Sequence, residues 1–160
     1  EICAAACASE LGLSVTATPD GRAAAQDADI IVTTTPAREP VLLADWVKPG
    51  THITAMGSDA EHKNEIDPAL IGRADLYVCD SLSQCRILGE LHHAIDARII
   101  RADHTFPELG QIIAGSASGR ASDDAITVAA LTGPGVQDTA IATLARARCD
   151  AAKAGTEITS

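Results

Sequence analysis

Aromatic residues are almost missing from this chain of 160 residues: Trp46, Tyr77 and Phe106 are the only three. A core so poor in rings has to be closed by small and branched aliphatic side chains, and 31 alanines allow close packing of helices and strands. Basic residues are scarce as well. There are 12 Lys and Arg against 22 Asp and Glu, a formal net charge of −10. That balance argues against a nucleic-acid binder, whose affinity rests on clustered cations. It does not argue against a nucleotide cofactor, which backbone amides and a helix end can hold. No apolar run approaches the roughly 20 residues of a membrane helix. The glycine fingerprint GxGxxG is absent. So is any CxxC pair: Cys3, Cys7, Cys79, Cys85 and Cys149 are odd in number and too dispersed for a disulfide framework or a zinc site. They read as small thiols, buried or half-buried, in a reducing cytoplasm.

What is present suffices for a folded domain, with 46% hydrophobic and 21% charged residues. Residues Ile2–Leu11 are Ala-rich and helical, and Gly12 suits the stop. Leu13–Ala17 alternates like a short strand, and Arg22–Ala28 reads as a short helix. The β-branched run Ile30–Thr35 is bounded by Asp29 and Pro36 and predicts a strand. Val41–Val47 reads as a helical turn before the Lys48-Pro49-Gly50 turn. Strands are expected again at His52–Met56 and Leu76–Cys79, with a short helix opening at Asp67-Pro68 between them. Leu82–Ile95 reads as helical, Glu108–Ala114 as a short helix, Ala125–Leu131 as a strand or extended segment and Val136–Ala152 as the longest helix. Strands alternate with helices over short connections, and they are apolar throughout, as when both faces of a parallel sheet are covered. The expected fold class is therefore α/β, a partial Rossmann-like doubly wound parallel sheet.

In such a sheet ligands bind beyond the carboxyl ends of the strands. The candidate positions are Thr33–Pro36, Gly57–Asp59 and Asp80–Ser81. Asp59 follows Gly-Ser, where the backbone is open enough for a ring or phosphate to approach. A carboxylate there can exchange protons with a substrate amine, or it can simply cap the next turn. Lys63 can reach a phosphate or a carboxylate, or be an exposed loop lysine. His92 and His93 are adjacent on a helix and point about 100° apart, which does not suit one metal ion, so solvent or interface positions are expected. Asp123-Asp124 reads as a cap or loop. The turn Thr132-Gly133-Pro134-Gly135, ahead of a long helix, presents free N–H groups to an anion.

Four segments, ADIIVTTTPAREPVL, PGTHITAMGSDAEHKNEID, ELGQIIAG and ITVAALTGPGVQDTAIATLA, lie in order along the chain. Together they resemble the ornithine cyclodeaminase/mu-crystallin family. Within it, DSLSQCRILGELHHAI is similar to the ectoine-utilisation branch. The resemblance implies a Rossmann domain for NAD or NADP, a separate dimerisation and substrate domain, a homodimer, and a small amino acid as substrate. It divides the chain into 1–130, a partial NAD(P)-binding domain, and 131–160, a C-terminal segment returning to the substrate domain. The Glu at position 1 and the missing glycine turn then read as a chain beginning just after the second Rossmann strand. By motif, Asp59 matches the family's proton-transferring carboxylate. Ala55, Met56, Gly57 and Ser58 match the strand end lining the cofactor, and Lys63 the basic residue of that loop. Thr34 and Thr35 match the preceding strand end, on the adenosine–ribose side. Leu131–Gly133 matches the turn that closes over the nicotinamide. The family commonly has Asp directly before that turn, where this chain has Ala130, also expected at the cofactor. The implied activity is amino-acid cyclodeamination, imine reduction or amino-acid dehydrogenation. The alternative is a mu-crystallin-type protein that binds NADPH and small ligands without turnover.

Overall fold

The computed structural model describes residues 2–156. Residue 1 and residues 157–160, the end of the expected 131–160 segment, lie outside the described residues. Four strands of four residues, β1 (Ile30–Thr33), β2 (His52–Ala55), β3 (Leu76–Cys79) and β4 (Thr127–Ala130), form one parallel sheet in the order β1-β2-β4-β3. The run His52–Ala55 is therefore an inner strand, and the last strand in sequence is the other inner one.

The pleat sorts the side chains into two faces. Ile31, Ile53, Val128 and Tyr77 share one row, and Thr33, Ala55, Ala130 and Cys79 the next. These rows face the core, where Leu70 and Ile71 of helix α3 (Pro68–Arg73) and Leu91 and Ala94 of helix α5 (Glu90–Asp96) pack. The row nearest the carboxyl ends holds only small side chains, which is where the alanine content tells. On the opposite face the short helix α6 (Leu109–Ile113) lies beside Leu76 and Val78. The cover does not reach β1, where Ile30 is 68% and Val32 57% exposed. The sheet is α/β as expected, but the expectation that both faces of every strand are covered is corrected at this edge.

The remaining helices are α1 (Ile2–Leu11), α2 (Gly21–Ala25), α4 (Leu82–Cys85) and α7 (Gly135–Ala152). No helix among the described residues is long and apolar enough to cross a membrane. The expected strand at 13–17 does not form: these residues are exposed and pair with no strand, and alternation alone cannot satisfy a backbone without a partner. The helical reading of 41–47 shrinks to one 3₁₀ turn, Ala44–Trp46. There the amides of Val41 and Leu42 both donate to the carbonyl of Glu65, which holds the segment extended. The helix expected over 82–95 is two helices, α4 and α5, parted at Gly89 with φ +76°.

Candidate active site at the carboxyl end of the sheet

Beyond the carboxyl ends of β2 and β4 a shallow cavity of about 250 Å³ is lined by Met56, Asp59, Leu131, Thr132, Gly133 and Gln137. Its two walls continue the ladder. Met56 N–H donates to Thr33 O at 3.0 Å, and Leu131 N–H to Ala55 O at 2.9 Å. Asp59 stands on the rim, 57% exposed, paired with the Lys63 ammonium, which is 23% exposed. The hydrogen bond from Lys63 holds the Asp59 carboxyl below the usual carboxylate range. At neutral pH this group is a charged proton acceptor.

The loop that carries this pair is anchored by two buried carboxylates. Glu65 accepts from Thr33 Oγ1 at 2.7 Å, from Gly57 N–H at 2.8 Å and from Thr35 N–H, and so ties the ends of β1 and β2 together. A side chain at Gly57 would collide with the Thr35 carbonyl and the Glu65 carboxylate, so this approach requires glycine. Glu90 accepts from Ser58 Oγ, from Glu65 N–H at 2.9 Å and from Ile66 N–H at 3.1 Å. Burial pushes its carboxyl above the usual range, against the pull of these donors.

The opposite wall is held by Asp80, just past β3. Its carboxylate accepts from Thr132 N–H at 2.7 Å, Thr132 Oγ1 at 2.9 Å and Gly133 N–H at 2.9 Å. The free amides expected to meet an anion at this turn do meet one, and it is the chain's own Asp80.

Apart from Gly57, whose amide is held by Glu65 outside the lining, the residues expected at the site separate into three groups. Met56, Asp59 and Leu131 line the cavity, with Lys63 attached through Asp59. Thr34 and Thr35 line a different groove, along β1. Ala55, Ser58 and Ala130 are buried; Ala55 and Ala130 face the core in register, and the Ser58 hydroxyl is engaged by Glu90. An Asp in place of Ala130 would therefore enter the sheet's core face rather than the cavity. Sequence reasoning missed Glu65, Glu90 and Gln137. His93, expected at solvent or an interface, is half-buried, and its ring Nε2 lies 2.6 Å from the Lys63 carbonyl oxygen.

The comparisons agree with this architecture. The profile of the ornithine cyclodeaminase/mu-crystallin family matches residues 1–153. The uncharacterized cyclodeaminase y4tK of Sinorhizobium fredii is 59% identical over 146 residues, covering 91% of this chain and 44% of that protein. The iminosuccinate reductase of Paracoccus denitrificans in complex with NAD+ superposes with a TM-score of 0.86 at 38% identity, over 98% of this chain and 47% of that one. The Thermococcus litoralis Delta(1)-pyrroline-2-carboxylate reductase in complex with NADH and L-proline gives a TM-score of 0.90 at 27% identity, over 97% and 48%. The chain spans about half the length of the relatives it matches. With a parallel sheet, a strand-end carboxylate and a match over nearly its whole length, this chain belongs to the ornithine cyclodeaminase/mu-crystallin family.

Proposed function

We propose that this chain supplies the cofactor side of an NAD(P)-dependent enzyme that interconverts a small amino acid and its imine, with Asp59 as the proton-transferring group. One observation carries the reading: Asp59, held ionised by Lys63, stands at the rim of a cavity at the carboxyl end of an inner parallel strand.

The residues present fit one end of a nicotinamide dinucleotide. Pockets that bury whole small ligands run to roughly 300–1,000 Å³. A cavity of about 250 Å³ between Met56 and Leu131 suits a flat ring, with the rest of an extended cofactor running outside it. Thr34 and Thr35, in the groove along β1, are placed for the more distant part. The cofactor, when bound, gives or takes the hydride. Asp59 takes the proton that the amino nitrogen must lose as the Cα–H bond breaks and the C=N bond forms. In the reductive direction Asp59 returns that proton to the nitrogen while the carbon gains hydride. Lys63 keeps the carboxylate charged between turnovers, and Met56 and Leu131 keep water off the face they cover.

Reduction of an imine and dehydrogenation of an amino acid are one reaction in two directions. Cyclodeamination is the same oxidation followed by attack of a side-chain amine on the imine carbon, loss of ammonia and return of the hydride to the ring imine, so that the cofactor is regenerated. For a diaminobutyrate-type substrate of the ectoine-utilisation kind, that attack would close a strained four-membered ring, so simple redox chemistry at the amine carbon is the favoured form. The reading includes a homodimer and a cytoplasmic location. Helix α7 carries exposed Val136, Ile141 and Leu144, which supports association through it. The division into 1–130 and 131–160 is part of the same reading, supported by the lack of any buried residue on α7.

The test uses the full-length protein with NADH or NADPH and a series of small cyclic and acyclic imino acids. Asp59→Asn is expected to lower kcat by about 10²–10⁴-fold while reduced-cofactor affinity stays within about threefold. Undiminished turnover in Asp59→Asn refutes the reading. Cofactor binding with no turnover of any amino or imino acid favours the non-catalytic binder instead.

A further inference from the structure

One turn of helix α5 holds the Asp59 loop on both sides of its reactive pair. Glu90 and His93 are three residues apart and so share a face of the helix. Glu90 takes the hydroxyl of Ser58, the residue directly before Asp59, and the amides of Glu65 and Ile66. His93 Nε2 meets the backbone carbonyl of Lys63 at 2.6 Å. The loop is thus pinned at 58, at 63 and at 65–66, with Asp59 and Lys63 inside the pinned span. Gly89, which opens α5, leaves no room for a side chain between the Thr132 wall and the Ser58 backbone. A Cβ there would lie 2.9 Å from Thr132 Cγ2 and 3.4 Å from the Ser58 carbonyl oxygen. Neither Glu90 nor His93 lines the cavity.

A buried carboxylate is a costly way to fill space, since apolar packing of similar volume is often as stabilising. What such a network provides is a single arrangement of the groups it binds. Here the bound group is the loop that carries the candidate base. We propose that Glu90 and His93 are positioning residues, which fix Asp59 and Lys63 at the cavity rim without touching the reactants. The proposal rests on the reading of Asp59 as the proton-transferring group. It gives a role to the segment Gly89-Glu90-Leu91-His92-His93, whose composition alone assigns none.

The test compares His93→Leu, His93→Gln and Glu90→Gln with the wild type, all in the full-length protein. Rates are expressed per cofactor site, counted by titrating NADH fluorescence, so that a loss of folded protein does not register as a loss of rate. His93→Leu is expected to lower kcat at least tenfold with KM within about twofold, because small misplacements of a reacting group are expensive in rate. The acid limb of its kcat profile moves to higher pH as Lys63 loosens from Asp59. His93→Gln, which restores an N–H donor near Nε2, recovers most of the rate. Glu90→Gln sets a donor against the loop amides and is expected to lose at least as much as His93→Leu; where it fails to fold, the two His93 variants carry the test. Wild-type kcat per site in His93→Leu, or a loss that His93→Gln does not recover, overturns the proposal.

A second readout needs no turnover. Amide hydrogen exchange at Lys63, Glu65 and Ile66 is expected to quicken at least tenfold in His93→Leu while the amides of β4 keep their rates. Unchanged exchange in the loop overturns the proposal even if the enzyme is active. A wild type inert toward every amino and imino acid tried overturns the functional reading; loop exchange then decides alone whether α5 holds this segment.

Discussion

Asp59 and Lys63 are four residues apart, and their contact sets the protonation state that the candidate base shows to a substrate. Lys63 lowers the Asp59 carboxyl, so its removal must raise it. Lys63→Met is therefore expected to shift the acid limb of kcat/KM to higher pH, visible in a rate profile from pH 4 to 8. Histidines give a stability prediction with a definite sign. Burial holds both His52 and His93 below the usual imidazole range. The unfolded chain takes up these protons near pH 6.5 and the folded chain only at lower pH, so between the two the unfolded state binds more protons. The histidines' contribution to stability is then fully present above about pH 6.5 and is lost as the pH falls below it. Urea midpoints at pH 7.5 and 5.5 check this, and His93→Gln is expected to narrow the gap. The strand end that carries Asp59 was legible in the sequence because its two signals are local: the run His52–Met56 and the Gly-Ser step beside it. Glu90 was not, because its donors lie 24 to 32 residues away and only the folded chain brings them together.

Among the elements, the break between α4 and α5 matters most to the site. The segment 82–95 reads as helical, but the backbone at Gly89, φ +76° and ψ −170°, lies in a region that essentially only glycine occupies. The turn lets α5 start beneath the loop instead of continuing the line of α4. Gly89→Ala is expected to lower stability by about 1–3 kcal/mol from backbone strain, the 2.9 Å approach to Thr132 adding to it. Chemical denaturation measures the loss, and the cavity's Thr132 wall should shift with it. The strands show the converse. β3 was legible to the residue because Leu76–Cys79 is compact and flanked by two acids, while the run at 13–17 has the right alternation and no neighbour to pair with. Register and pairing are tertiary facts, and a short alternating run carries no information about whether a partner exists.

At the scale of the molecule, the open flank is β1. Its outer edge pairs with no strand among the described residues, and Ile30 and Val32 leave apolar surface beside that row of unpaired backbone groups. Such an edge invites pairing with another chain. The 160-residue chain alone is expected to self-associate at micromolar concentration, and Val32→Lys to shift it toward the monomer in sedimentation velocity. α/β class and parallel pairing were legible from the alternation of elements, because parallel strands need crossovers of that length. Strand order was not, since β4 reads as an extended segment near the end of the chain with nothing local to place it in the middle.

That placement has a consequence for synthesis on the ribosome. Strands β1 and β2 can pair as soon as they emerge, but β3 has no ladder to join until Thr127–Ala130 has left the exit tunnel and slipped between them. For the time needed to translate some fifty residues, Leu76–Cys79 and the inner edge of β2 are sticky surfaces without their partner, and the nascent chain is then most in need of a chaperone.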